Sequence, residues 1–466
     1  MSDILSAASF SAPTTKPAAA PPRGYRFPAF EQRELANGLR LVVAPVTKLP
    51  LATVFVLIEA GSSAEPRHRS GVASLTARLV LEGAAGMDGE TIADRFERMG
   101  ASVEAYATWD IAAVTLTALS SEIGNALALV RDILRSPDFP EREVQRLKEE
   151  RLADLLQQLA EPRGLADEEF AKALYIDSAR YAAPEEGDAA SVRSLTREDV
   201  LEFYAARYRA GGITLVFAGD VSMDSAMTLT EALFGDWVGD RPQLAPGGID
   251  ATQSGRLVRV LAKADAPQSE LRIGHIGLPR NNPDYFETMV MNAVLGGLFS
   301  SRINLNLREV HGYTYGASSA FDWRRGAGPF VIQTAVKSDV TGDAVREILS
   351  EIERIRTEPI DADELTLATS YLDGVFPIRY ETTAAIAAAL ANMVVHSLPS
   401  QFFDTYRAEV RAVTSERVLR AAQQHLHPDR LRIVVVGDPT PVAVSLEKVT
   451  GIRPDVIAID GGGTPT

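Results

Sequence analysis

The feature that most limits how this chain can fold is that it is written twice. Thr196 opens a helix-like segment that passes through a short loop into the apolar run 213–218 and ends on Gly219 and Asp220. Thr414 opens a second such segment, which leads to the apolar run 431–436 and ends on Gly437 and Asp438. Thr to Asp is 24 positions in each copy, and the copies lie 218 apart (414 − 196 and 438 − 220). Each reads as a capping Thr, a helix, a strand and a turn. The offset recurs upstream. Residues 39–45 precede an expected strand at 52–60, and residues 257–263 (257 − 39 = 218) precede one at 270–276. A helix is expected next in each copy, at 71–82 and 285–295. The division that fits is two homologous domains of roughly 200 residues. The fold class is α+β, each domain an antiparallel-rich sheet with helices packed on one face.

The expected boundaries follow. Residues 1–23, rich in Ala, Pro, Ser and Thr, read as a disordered extension without the basic start and apolar core of a signal peptide. Domain one spans 24–238 and domain two 256–457. They are joined by a Pro/Gly-rich linker at 239–255, and 458–466 is a loose tail. No apolar run is long enough to span a bilayer. The net charge of −15 counts against a nucleic-acid partner. It fits a solvated acidic surface, or a chamber that attracts basic substrates. With no cysteine in 466 residues, disulfides, thiolate metal sites and a cysteine nucleophile are excluded. The expected compartment is the cytoplasm, with the periplasm left open.

One stretch stands out for chemistry. Gly296 and Gly297 precede a helical pattern (Ile303, Leu305, Leu307) that carries Arg308 at its end. His311 and Gly312 read as a helix stop, and Tyr315 opens an extended segment to Phe321. A guanidinium and a phenol both donate hydrogen bonds at neutral pH, so together they can hold a carbonyl oxygen or an oxyanion. The structural alternative is an Arg capping helix carbonyls and a Tyr in a half-buried strand. The six histidines make no H-x-x-E-H or H-E-x-x-H spacing. His425 and His427 read as loop residues rather than a ligand pair, and His311 as a dipole-favoured residue at a helix end.

Taken together, these residues resemble the pitrilysin/insulinase family of zinc peptidases, over about residues 30–456. The carriers are Asn37-Gly38-Leu39-Arg40, Ala60-Gly61-Ser62-Ser63, Ser70-Gly71-Val72-Ala73, Gly100-Ala101-Ser102, the 295–315 stretch and both strand–Gly-Asp endings. The resemblance implies two such domains per chain. In active members the first helix of domain one carries an inverted zinc motif, H-x-x-E-H, and a later helix adds a glutamate. In this chain Ser74, Ala77 and Arg78 occupy the positions of the first His, the Glu and the second His. Asp154 or Glu150 lies near the third-ligand position. Serine and alanine are poor zinc ligands, a fixed cation repels the metal, and no general base remains. The expectation is therefore no metal in this chain, with Arg78 paired to Asp154 or Glu150.

The resemblance also implies a role for the opposite half. In family members, an Arg and a Tyr seven positions apart hold the substrate carbonyl, and Arg308 and Tyr315 match that spacing (315 − 308 = 7). Tyr313 is a second candidate, and Glu104, Ala105 and Tyr106 lie on a strand able to add a peptide along its edge. The long glycine-rich loop of the mitochondrial non-catalytic subunit is missing, only Gly296-Gly297 standing near its place. The implied function is a non-catalytic, substrate-binding subunit of a heterodimeric zinc metallopeptidase. Its partner would be a homologue bearing H-x-x-E-H and the zinc, and its substrates peptides. The alternatives are a catalytically dead scaffold, like the core proteins of respiratory complexes, and a peptide-binding homodimer.

Overall fold

The computed structural model describes residues 24–177, 179–243 and 255–459; the extension at 1–23 and most of the linker lie outside them. The repeat emerges as two six-stranded sheets. The first contains β1 (Glu31–Glu34), β2 (Arg40–Pro45), β3 (Leu51–Ile58), β4 (Ser102–Ala107), β5 (Ala112–Leu119) and β6 (Ile213–Gly219), in the order β1-β2-β6-β3-β5-β4. The second contains β7 (Leu257–Ala262), β8 (Gln268–Ile276), β9 (Ala317–Phe321), β10 (Pro329–Lys337), β11 (Arg432–Gly437) and β12 (Asp455–Ala458). Its order is β12-β7-β11-β8-β10-β9. The last strand of each repeat, β6 or β11, lies between a parallel neighbour (β2 or β7) and an antiparallel one (β3 or β8).

The two copies differ at one edge. β1 comes from the N-terminal side and pairs antiparallel with β2, whereas β12 comes from the C-terminal side and pairs parallel with β7. Ala458, the first residue of the expected tail at 458–466, is a strand residue paired with Ala262, and 460–466 lie outside the described residues. The start of the linker is docked as well, since Arg241 Nε lies 3.0 and 3.1 Å from the two carboxylate oxygens of Glu59.

Local chemistry explains the helices at the repeat. Thr196 accepts the Asp199 N–H and caps the helix Arg197–Arg207, while Thr414 accepts the Arg417 N–H and caps Ser415–His425. His425 thus ends a helix rather than lying in a loop, its Nε2 2.7 Å from Asp284.

The strands β6 and β11 are buried at every position, so both sheet faces must be covered. One face packs on the domain's own helices. The other is covered by a helix of the opposite domain. Phe170 and Ala173, from the helix Pro162–Leu174 of domain one, pack with Leu261, Val434 and Val436 of the second sheet. Ala387, Leu390 and Ala391, from the helix Thr383–Val395 of domain two, share a core with Val42, Leu57, Ala113 and Val216 of the first sheet. Polar contacts fix both crossings. Arg272 pairs with Asp167 at 2.5 Å, Arg432 Nε donates to the Ala173 carbonyl at 2.9 Å, and Thr53 and Thr383 hydroxyls meet at 3.0 Å. Gly274 makes room, since a Cβ there would sit 1.9 Å from the Phe330 carbonyl oxygen and 2.9 Å from the Phe170 ring. "Helices on one face" thus holds for each domain's own helices. The exchanged helix supplies the second layer.

Candidate functional site

The helix that carries Ser74, Ala77 and Arg78, the residues expected at the family's metal motif, is α1 (Val72–Leu79). It starts on Gly71 at φ +97°, where a Cβ would sit 2.6 Å from the Glu186 carbonyl oxygen. The Glu65 carboxylate accepts the N–H groups of Gly71 (3.1 Å) and Ala73 (2.6 Å) and pairs with Arg180 at 2.7 Å. That satisfies orphan donors at the helix start. Burial nevertheless raises the Glu65 carboxyl above the usual range, with Arg180 opposing.

Ser74 and Ala77 are buried. Arg78 turns to α2 (Glu141–Ala160), where its Nη2 lies 2.5 Å from Glu150 Oε1. Arg146 continues the network to Glu143 (2.5 Å), Glu82 (2.8 Å) and Glu150 (3.3 Å). Of the two acids weighed as partners for Arg78, the contact is with Glu150. Asp154 instead lines a separate cavity of about 690 Å³ with Trp109 and Arg324. Among the described residues no three His, Asp or Glu side chains converge as metal ligands. More to the point, a hydroxyl, a methyl and an ion-paired guanidinium do not fit Zn²⁺, which requires imidazole, thiolate or carboxylate donors.

Glu104, Ala105 and Tyr106 lie on β4, at the sheet edge and paired only with β5. The strand alternation splits them. Ala105 faces the core beneath α1, while Tyr106 packs on the opposite side and lines the interdomain seam.

The 295–315 stretch departs from the expected regular helix. After Tyr285–Asn292 the chain makes a π-helical turn at Ala293–Gly297. A short α-helical piece follows at Arg302–Asn304, then a second π-helical turn at Leu305–Val310. The cause lies in side-chain bonds. Asn292 bonds Ser319 through both ends of its amide (3.0 and 2.7 Å), and a Cβ on Gly296 would lie 2.4 Å from Ser319 Oγ. Asn304 accepts the Ala317 N–H at 3.0 Å, which ties the helical piece to β9. Such widened turns recur at functional sites.

Gly312 adopts φ +65° and stops the helix. Thr314 Oγ1 then accepts the Gly316 N–H at 3.1 Å, so Tyr315 sits in a turn and the strand begins only at Ala317. Tyr315 is 95 % exposed, and no hydrogen bond reaches its hydroxyl among the described residues. The Arg308 guanidinium lies 4.6 Å from the centroid of the exposed Phe299 ring and 3.4 Å from Glu309. Tyr313 stacks on His311 at 4.9 Å, and His311 lies 3.8 Å from Glu347. Arg308 is therefore half-buried against Phe299 and Glu309, whereas Tyr315 is fully exposed.

Sequence reasoning missed Phe299 as the platform for Arg308, and missed Asn292 and Asn304 as the braces. The recurrence of Asn in an otherwise apolar helical pattern was the available signal.

The architecture is two α+β domains joined by exchanged helices, with no His, Asp or Glu on α1. Residues 41–180 match the family model insulinase (peptidase family M16), and residues 194–372 match the peptidase M16 inactive domain. The chain belongs to the M16 peptidase family. The crystal structure of a peptidase M16 inactive domain from Pseudomonas fluorescens superposes with a TM-score of 0.82 at 28 % identity, over 88 % of this chain and 98 % of that one. A Rickettsia felis protein named as an uncharacterized zinc protease is 24 % identical over 345 residues, 74 % of this chain and 82 % of its own length. A probable mitochondrial-processing peptidase subunit beta from Arabidopsis thaliana is 24 % identical over 420 residues, 86 % and 77 % of the two chains. No helix of the described residues is long and apolar enough to cross a membrane.

Proposed function

We propose that this chain is the non-catalytic subunit of a two-chain M16 peptidase whose homologous partner carries H-x-x-E-H and the metal. The observation that carries the reading is an asymmetry between two sites. Arg78, on the degenerate helix, is consumed by Glu150 within the chain. Tyr315 is instead fully exposed, with no hydrogen bond to its hydroxyl among the described residues, and Arg308, half-buried on Phe299 with Nε 3.4 Å from Glu309, has no hydrogen bond from its two Nη groups among the described residues. A scaffold gains nothing from a fully exposed tyrosine seven positions after an arginine held on an aromatic ring. In a closed pair of subunits, both groups would donate to the carbonyl oxygen of a bound peptide and stabilise the charge that develops on it during hydrolysis. Tyr313 braces the same rim, and the free edge of β4 offers a peptide backbone hydrogen-bonding partners.

The test is peptidase activity of this chain, of an H-x-x-E-H homologue and of their mixture. The mixture is expected to exceed the homologue alone. Arg308→Ala and Tyr315→Phe are each expected to lower its kcat by about 10²-fold. A mixture no more active than the homologue overturns the reading, as does stoichiometric zinc in the purified chain or unchanged kcat in both variants.

A further inference from the structure

Beside Arg308 and Tyr315 stands a buried amide whose bonds the peptidase reading leaves unused. Asn304 is 3 % exposed, on a segment whose Ile303 and Leu307 are fully buried. A buried amide is costly unless it is hydrogen-bonded, and an apolar side chain would fill the same place without that cost. Asn304 uses both ends of its amide. Its Nδ2 donates to the Phe299 carbonyl at 2.6 Å, and its Oδ1 accepts the Ala317 N–H at 3.0 Å.

These two bonds reach the two halves of the site. Phe299 is the platform for Arg308, whose guanidinium carbon lies 4.6 Å from the ring centroid. The Phe299 ring is mostly exposed, so core packing does not fix it. Its placement follows from its backbone turn, which is closed by the Ser301 N–H on the Leu298 carbonyl at 3.1 Å and held by Asn304. Ala317 is the first residue of β9 and the second after Tyr315. Between them, Gly316 is held from the side of β10, where Thr334 Oγ1 lies 3.0 Å from its carbonyl oxygen. The backbone at Tyr315 is therefore anchored although the side chain is exposed.

We propose that Asn304 is a positioning residue: one amide fixes the turn beneath Arg308 and the backbone beyond Tyr315 relative to each other. Its catalytic consequence rests on the reading of Arg308 and Tyr315 as donors to a substrate carbonyl, whereas the link itself is a property of this chain alone. Two donors stabilise one developing oxyanion only when both are aimed at it, and a displacement of ~1 Å can cost about 100-fold in rate.

The test has one arm in the chain alone. With 4-fluorophenylalanine in place of Phe299, the fluorine resonance reports the contact with Arg308, and Arg308→Ala marks its position when that contact is lost. Asn304→Leu, which keeps the volume and removes both bonds, and Asn304→Ala are each expected to move the resonance most of the way to that position in a chain that still unfolds cooperatively. A resonance unchanged in both variants overturns the proposal. The second arm is the mixture with the H-x-x-E-H homologue. Asn304→Leu is expected to lower kcat by about 10-fold or more, with KM within about 2-fold of its starting value. The same change should cost far less in an Arg308→Ala chain, where the group it misplaces is already gone. An unchanged kcat overturns the positioning role, and so do equal losses in both chains, which mark a general effect on folding. If the mixture is no more active than the homologue alone, the function proposed above fails, and the fluorine arm still decides whether Asn304 forms the link.

Discussion

At the residue scale, the chain shows how burial decides the charge of a side chain whose sequence context says little. His275 Nδ1 lies 2.8 Å from the Ile276 carbonyl oxygen, which can only accept, so Nδ1 carries the proton. Its Nε2 lies 3.2 Å from the His427 backbone N–H and must therefore accept. The neutral ring is fully bonded, and burial pulls its pKa from 6.5 down to about 4. Protonation would abolish the bond from His427. The folded pKa lies below the unfolded one, so this contribution is intact above about pH 6.5 and is lost as the pH falls towards 4. The loss amounts to about 3 kcal/mol for this residue. Urea unfolding at pH 7.5 and pH 5 should show it as a drop in the midpoint, and His275→Gln should reduce that drop. Of the residues singled out from sequence, Ser74, Ala77 and Arg78 were chosen by the fixed internal spacing of a motif. Arg78's partner Glu150 was legible only as one of two candidates, because a turn of helix separates it from Asp154 and spacing between two helices is not written in either.

At the element scale, the decisive features are the exchanged helices and the π-helical turns. The helix Thr383–Val395 has a weak amphipathic pattern and is buried on more than one side, since it sits between its own domain and the first sheet. Leu390 is fully buried there. Leu390→Ala should cost about 2–5 kcal/mol, and it should lower the stability of both domains together in a single unfolding transition. Two transitions, with only the second domain affected, would contradict the exchange. The helix stop at Gly312 was readable from residue type. The widening of the preceding turn was not, because it depends on Asn292 and Asn304 reaching a strand 27 and 13 residues further on.

At the scale of the whole molecule, neither domain is complete alone. Cut at the linker, residues 24–243 would retain the first sheet but lose the helix over Val42, Ala44, Leu57, Ala113, Val216 and Ala218. Phe27 would also lose the ring of Phe403, stacked 4.1 Å away. That piece should be aggregated or insoluble when expressed alone, and should become soluble when residues 255–459 are co-expressed. Size-exclusion chromatography of the two preparations checks this. An isolated first half that is monomeric and folded would show the exchange to be dispensable.

The sequence by itself determined the repeat and the fold class, and it fixes that Ser, Ala and Arg stand at 74, 77 and 78 and that Arg308 and Tyr315 lie seven positions apart. All of these are properties of order and residue type along the chain, and they survive without knowledge of distance. Only the tertiary structure decided which helix covers which sheet, which acid holds Arg78, and which buried groups meet at the seam. The exchanged helices stand close to the same offset as the rest of the repeat (383 − 162 = 221), so nothing in their spacing says that they have changed places. Burial of both faces of β6 and β11 requires some helix to lie there, and the seam polar groups come from segments that only the crossing brings together. Contact across a seam depends on how two bodies pack, and that information belongs to the complementarity of their surfaces rather than to any single stretch of chain.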